Sequence, residues 1–204
     1  MNTEEKVITP EVINEAYNYE EYRRMIDDLL EEGKTTGTNY SDEMIEYTRM
    51  NVHRMNRLDK QVKLSDSLKE KLQGIQEQWI WLVLTEAWCG DAAQNIPVIA
   101  KMAEESENIE IRLILRDENL EVMDEYLTNG GRSIPKLVCL NAEFLEEKGS
   151  WGPRPDSAQR KAMEWKNDPD ITMEEWAEKL HGWYARNKTQ EIQSEFEKLV
   201  EEWT

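Results

Sequence analysis

The stretch Trp88-Cys89-Gly90-Asp91-Ala92 carries the clearest chemistry in the chain. An apolar run, Trp79-Ile80-Trp81-Leu82-Val83-Leu84, leads straight into it, and a helical pattern containing Pro97 follows. A cysteine at such a junction sits at a helix N-terminus, where orphan N–H groups and the helix dipole favour a thiolate. That effect is worth about 0.3–1 kcal/mol. Asp91, in the first turn, opposes it by about 0.5–1 kcal/mol at roughly 7 Å in a high dielectric. The two contributions nearly cancel, and Asp91 also has the ordinary role of a first-turn acid that stabilises a helix. Arg116, Arg132 and Arg154 are the cations that could tip the balance toward a reactive Cys89 if they face the site, and each is more simply explained as a solvated surface charge.

The elements that must position these residues are of two kinds. The first sixty residues are helical and polar. Thr9-Pro10 caps a helix through Tyr22, Met25, Ile26 and Leu29 that ends near Gly33. Ser41 caps a second, with an apolar set of Met44, Tyr47, Val52, Met55 and Leu58, and a third runs from Ser67 to about Gln73. From residue 79 the chain alternates: strand 79–85, helix 91–105, strand 109–115, and a short helix over 120–127. Strands 136–140 and 144–151 follow, joined by Asn141-Ala142-Glu143. Asp156 with Gln159, and Thr172 with Glu175, read as capping boxes of the final helices. The plan is α/β, a mixed sheet flanked by helices with additional N- and C-terminal helices. Residues 1–76 read as a helical extension packed on the core, and 77–204 as the sheet domain with its C-terminal helix. The tryptophan-rich last helix is expected to cover the sheet, with a dimer face as the other use. Right-handed crossovers put Cys89 and Arg116 beyond the carboxyl ends of two parallel strands, where ligands of open α/β sheets bind.

Over residues 78–165 the chain resembles the thioredoxin-like family, and is similar to its bacterial branch with an N-terminal helical region. Trp88-Cys89-Gly90 stands at the strand-to-helix turn, as in the family's Trp-Cys-Gly-Pro-Cys. Pro97 matches the proline of the active-site helix, and Ser133-Ile134-Pro135 matches the cis-proline segment that faces the nucleophile. Trp151-Gly152-Pro153-Arg154-Pro155 resembles a further motif of that branch, and is physically a stiff loop. Two departures go together. Ala92 replaces the resolving cysteine, and Val83 replaces the acid many members use to deprotonate it. Cys139 cannot replace that thiol: four strand residues beyond Pro135 is about 13 Å, against about 7 Å for a disulfide. It is expected in the core.

The resemblance implies a monothiol thiol–disulfide oxidoreductase acting through Cys89, with a mixed disulfide resolved by an external thiol such as glutathione or another low-molecular-weight thiol. Protein disulfides or thiols would be its partners. The alternative is a non-catalytic binding protein using a groove around Trp88, Gly90, Asp91, Ile134 and Pro135, framed by the three arginines. A cis bond before Pro135 would leave the backbone of Ile134 free to pair with an extended peptide. A one-cysteine peroxidase fits poorly, because Thr85 stands four residues before Cys89 rather than three and Trp81 occupies the expected proline position. The net charge of −18 argues against nucleic acid and anionic membranes as partners. No apolar run has membrane length and the charged opening Met1–Lys6 leads into no apolar stretch, so a reducing cytoplasm is the expected location. No bound cofactor is implied, and His53 and His181 lack metal-site spacing.

Overall fold

A computed structural model describes residues 6–204; most of the charged opening, Met1–Glu5, lies outside the described residues. The sheet has four strands, β1 (Trp79–Thr85), β2 (Ile109–Leu115), β3 (Lys136–Asn141) and β4 (Glu147–Trp151), in the order β2-β1-β3-β4. β1 pairs parallel with β2 from Trp79↔Ile109 to Thr85↔Leu115, while β1–β3 and β3–β4 are antiparallel. β1 is central and every one of its residues is buried, which is why it reads as a continuous apolar run instead of an alternation.

This topology collects four segments at one edge. β1 and β2 both end there, releasing Trp88–Cys89 and Arg116. β3 starts there, because Lys136 pairs with Leu84, so Pro135 lies just outside. β4 ends there, because Trp151 pairs with Leu137, so Gly152–Arg154 join the same rim.

Helices cover both faces. α1 (Pro10–Glu15) and α2 (Tyr19–Glu31) lie on the β2 side, α3 (Asp42–Gln61) packs on α5 (Gly90–Ala103), and α4 (Asp66–Gln73) packs on α9 (Gln190–Trp203). α6 (Leu120–Glu125) precedes β3, and α7 (Asp156–Asn167) and α8 (Met173–Asn187) follow β4. Ile13, Tyr22, Ile26, Met55, Leu68 and Leu72 share one core with the sheet, and at about 25 cal/mol per Å² their burial ties the N-terminal helices to it. α9 lies against the sheet through Trp81–Phe196, Trp151–Phe196 and Trp79–Trp203 ring contacts at 5.3, 5.5 and 6.4 Å. α7 and α8 make a small core of their own from Ala158, Ala162, Leu180 and Trp183. Among the described residues no helix is long and apolar enough to cross a membrane.

Several expectations change for physical reasons. The first predicted helix is two, because Tyr17 leaves the helical path to exchange both backbone hydrogen bonds with Leu113. β4 starts at Glu147 instead of 144: Leu145 has a positive φ and Phe144 is exposed. Asp156 does not cap α7; Pro155 stands at the cap, the Asp156 N–H donates to Glu195, and Gln159 serves Arg154. The Thr172–Glu175 capping box forms. The last predicted helix passes through Gly182 but breaks at Lys188-Thr189, both left-handed, to give α8 and α9.

Candidate functional site

Cys89 is the N-cap residue of α5, and its sulfur accepts the Ala92 N–H at 3.4 Å. The thiol in turn donates to the Ile134 carbonyl at 3.4 Å. The Ile134–Pro135 peptide is cis, as the resemblance implied, and it faces the cysteine. Pro97 lies inside α5. The sulfur is sealed: Cys89 is 9% exposed. Burial, reinforced by the Asp91 carboxylate, pushes its pKa up to about 12 against a usual value of 9.0. The near-cancellation expected from sequence therefore gives way to a clear bias toward the thiol, because desolvation outweighs the helix N-terminus. Cys139, opposite Trp81 in the sheet, is buried and free, and burial pushes its thiol up to about 12 too.

The seal is built around Asp91. Its carboxylate pairs with Arg154 at 2.6 Å and accepts the Tyr184 hydroxyl at 2.8 Å. Asn95 donates from its amide to the Asp91 carbonyl and to Tyr184 Oη, at 2.9 and 3.0 Å. Asp91 is thus much more than a first-turn acid. Burial raises its pKa, and Arg154 acts against that rise. Arg154 also donates to Gln159 and lies 5.7 Å from the Trp176 ring centre, so both α7 and α8 hold it. At Gly90 the backbone approaches α8 closely: a Cβ there would lie 3.1 Å from the His181 ring, tighter than an ordinary contact. His181 is half-buried, and desolvation with Arg54 nearby lowers its pKa to about 4. The loop carrying Arg154 is locked onto the cis-proline segment: Gly152 has φ +116° and a Cβ would lie 2.3 Å from the Pro135 carbonyl.

On the opposite side the site is open. Trp88 is half-exposed, with the Arg116 guanidinium 5.0 Å from its ring centre. Arg116 also donates to the Arg132 carbonyl at 3.2 Å. Arg132 does not bring its charge to the groove, because its guanidinium is held bidentately by Asp124. Ile134 and Pro135 are buried, so the expected peptide groove at the cis bond is closed, and the Ile134 carbonyl is occupied by the cysteine.

Sequence reasoning missed the residues that pin the loop before Cys89. The Ala87 N–H donates to Thr36 and Asn51 donates to the Ala87 carbonyl, both at 2.9 Å. Glu86, fully buried and with its pKa raised by burial, accepts the Asp117 N–H at 2.9 Å. The buried stripe of α3 is Thr48, Asn51, Met55 and Leu58, while Tyr47 is exposed. The helix is rotated from the apolar expectation because its buried polar members have partners: Asn51 serves the Ala87 carbonyl, and Thr48 bonds to the Thr35 hydroxyl. The spacing 48, 51, 55, 58 was the available signal. Tyr184 and His181 had none beyond their place on an amphipathic helix.

A four-stranded mixed sheet with a cysteine-capped helix facing a cis-proline defines a thioredoxin-like protein. A family model described as Thioredoxin matches residues 37–167, more than half of the chain. The chain belongs to the thioredoxin family. Among solved structures it is similar to a protein of unknown function from Pseudomonas aeruginosa, with 17% identity, a TM-score of 0.61, and coverage of 94% of this chain and 95% of that one. It is also similar to an HIV epitope-scaffold, with 16% identity, a TM-score of 0.57, and coverage of 91% and 98%. Both likenesses concern the fold. The comparison with curated proteins finds no match.

Proposed function

We propose that this chain is a thioredoxin-fold binding protein that keeps Cys89 as a shielded thiol instead of using it as a nucleophile. One observation carries the reading: the Cys89 thiol is buried and spends its proton on the Ile134 carbonyl, beside a buried carboxylate that disfavours the thiolate. The absence of a resolving cysteine at Ala92 agrees with it. The surface left for a partner is the rim of Trp88 and Arg116, an aromatic face under a guanidinium that Asp117 also holds, with aromatic and arginine side chains being those that anchor protein interfaces.

The second reading is the monothiol oxidoreductase, and it has its own support in the Ala92 N–H aimed at the sulfur. In that reaction the Cys89 thiolate would attack the glutathione sulfur of a protein–glutathione mixed disulfide, forming a Cys89–glutathione disulfide and releasing the substrate protein's thiolate. A free glutathione thiolate would then attack the Cys89–glutathione disulfide, releasing oxidised glutathione and returning the Cys89 thiolate, so that one substrate disulfide is reduced by two glutathione sulfurs. The rate of Cys89 alkylation against pH, in a Cys139→Ala background with Cys89→Ser as control, separates the two. Binding without catalysis requires a rate still rising above pH 10 and no adduct after oxidised glutathione. A plateau below about pH 8.5, with a glutathione adduct at Cys89, overturns it in favour of the oxidoreductase.

A further inference from the structure

A cavity of about 450 Å³ opens between α3, α5, α8 and α9, lined on different sides by Leu58, Val62 and Ile192 and by polar side chains. Its charge is the reverse of the chain's. The chain carries −18, yet Arg57, Lys63 and Lys188 line this space and no aspartate or glutamate does. None of the three cations forms an ion pair among the described residues, although carboxylates outnumber lysines and arginines by 43 to 25. Cations without a carboxylate partner around a concave surface suit an anionic head group.

A buried amide on α5 is the second indication. Gln94 is 6% exposed and lines the cavity, and its side chain has no hydrogen-bond partner among the described residues. Its amide is not sealed from solvent, so it is free to bond a molecule held in the cavity, a bond worth about 0.5–1.5 kcal/mol. Trp183 supplies an aromatic wall.

We propose that this cavity is a binding site for a small amphipathic anion: a molecule with a flat apolar body, one carboxylate, sulfonate or phosphate head, and an N–H or O–H donor. The apolar body lies against Trp183, Leu58 and Ile192, the head meets Arg57, Lys63 and Lys188, and the donor reaches the Gln94 amide oxygen. The site is separate from the Trp88 rim and does not depend on the state of Cys89.

The probe is 8-anilinonaphthalene-1-sulfonate, which has all three features, followed by fluorescence titration of the full chain. One probe per chain is expected, with the neutral N-phenyl-1-naphthylamine at least tenfold weaker. The double variant Arg57→Glu/Lys188→Glu should weaken sulfonate binding at least tenfold, and Gln94→Leu severalfold, with thermal unfolding monitored by circular dichroism. If a variant unfolds, the salt dependence of the unmodified chain decides: the apparent Kd must rise steeply with sodium chloride. Equal affinity for the neutral probe, several probes per chain, or binding indifferent to charge reversal or to salt overturns the proposal.

Discussion

On one side of Cys89, Arg154 is gripped by Asp91, Gln159 and the face of Trp176, and the Asp91–Arg154 pair is only 9% and 15% exposed. On the other side, Arg132 is held by Asp124 through two hydrogen bonds, but both partners are 47% exposed. Both arginines flank a cis-proline segment, Arg132 ahead of Pro135 and Arg154 just after Pro153. They differ in what lies above them. α7 and α8 roof the Arg154 side, while the Trp88–Arg116–Arg132 side faces solvent. The difference teaches that the character of this site is set less by its charged residues than by the helices laid over them. The same ion pair is structure under a roof and decoration without one.

The largest expected effect therefore belongs to the roofed side. Arg154→Ala strands the Asp91 carboxylate in a buried site and should cost about 3–5 kcal/mol in urea unfolding. A second change, Asp91→Asn, should recover much of that loss; an additive double variant would show that the two sides are not distinct. Next is the clamp between the proline loops. Gly152→Ala puts a side chain at φ +116° against the Pro135 carbonyl and should cost at least about 1–3 kcal/mol. A fall of that size with unaltered far-ultraviolet dichroism is the outcome to look for.

A pH titration tests the roof from above. His181 has a pKa of about 4 in the folded chain and 6.5 when unfolded, so the unfolded chain binds the extra proton between those values. Its contribution is complete above pH 6.5 and disappears as the pH falls toward 4. The unfolding midpoint of His181→Gln should therefore drop less over that window than that of the unmodified chain. Parallel curves would remove His181 from the seal. The smallest effect belongs to the open side: Arg132→Ala should leave the unfolding midpoint within measurement error, and a clear loss there would erase the contrast.

The sheet was legible because its signals are local. β1 and β2 match the expected 79–85 and 109–115, since apolar runs bounded by polar breaks need no partner to be recognised. The thiol and the cis-proline were legible through their motif spacing. The cover was not, because it depends on which face of an amphipathic helix meets which neighbour. Tyr184 and Asp91 are 93 residues apart, and nothing in either segment names the other. The polar stripe of α3 failed for a related reason: Asn51 looks misplaced in an apolar pattern until the Ala87 carbonyl that it serves is in place. Arg132 failed in the opposite sense, since its partner Asp124 is only eight residues away and local pairing took the charge that the groove was expected to use.

That 93-residue separation has a consequence in time. At about 5–20 residues per second of synthesis, Tyr184 reaches the growing chain on the order of 5–20 s after Asp91. During that interval the cysteine has its sheet neighbours in the making but no lid. Each new molecule therefore begins with an accessible sulfur and finishes with a concealed one, and any chemistry that marks Cys89 permanently has its best opportunity on the ribosome.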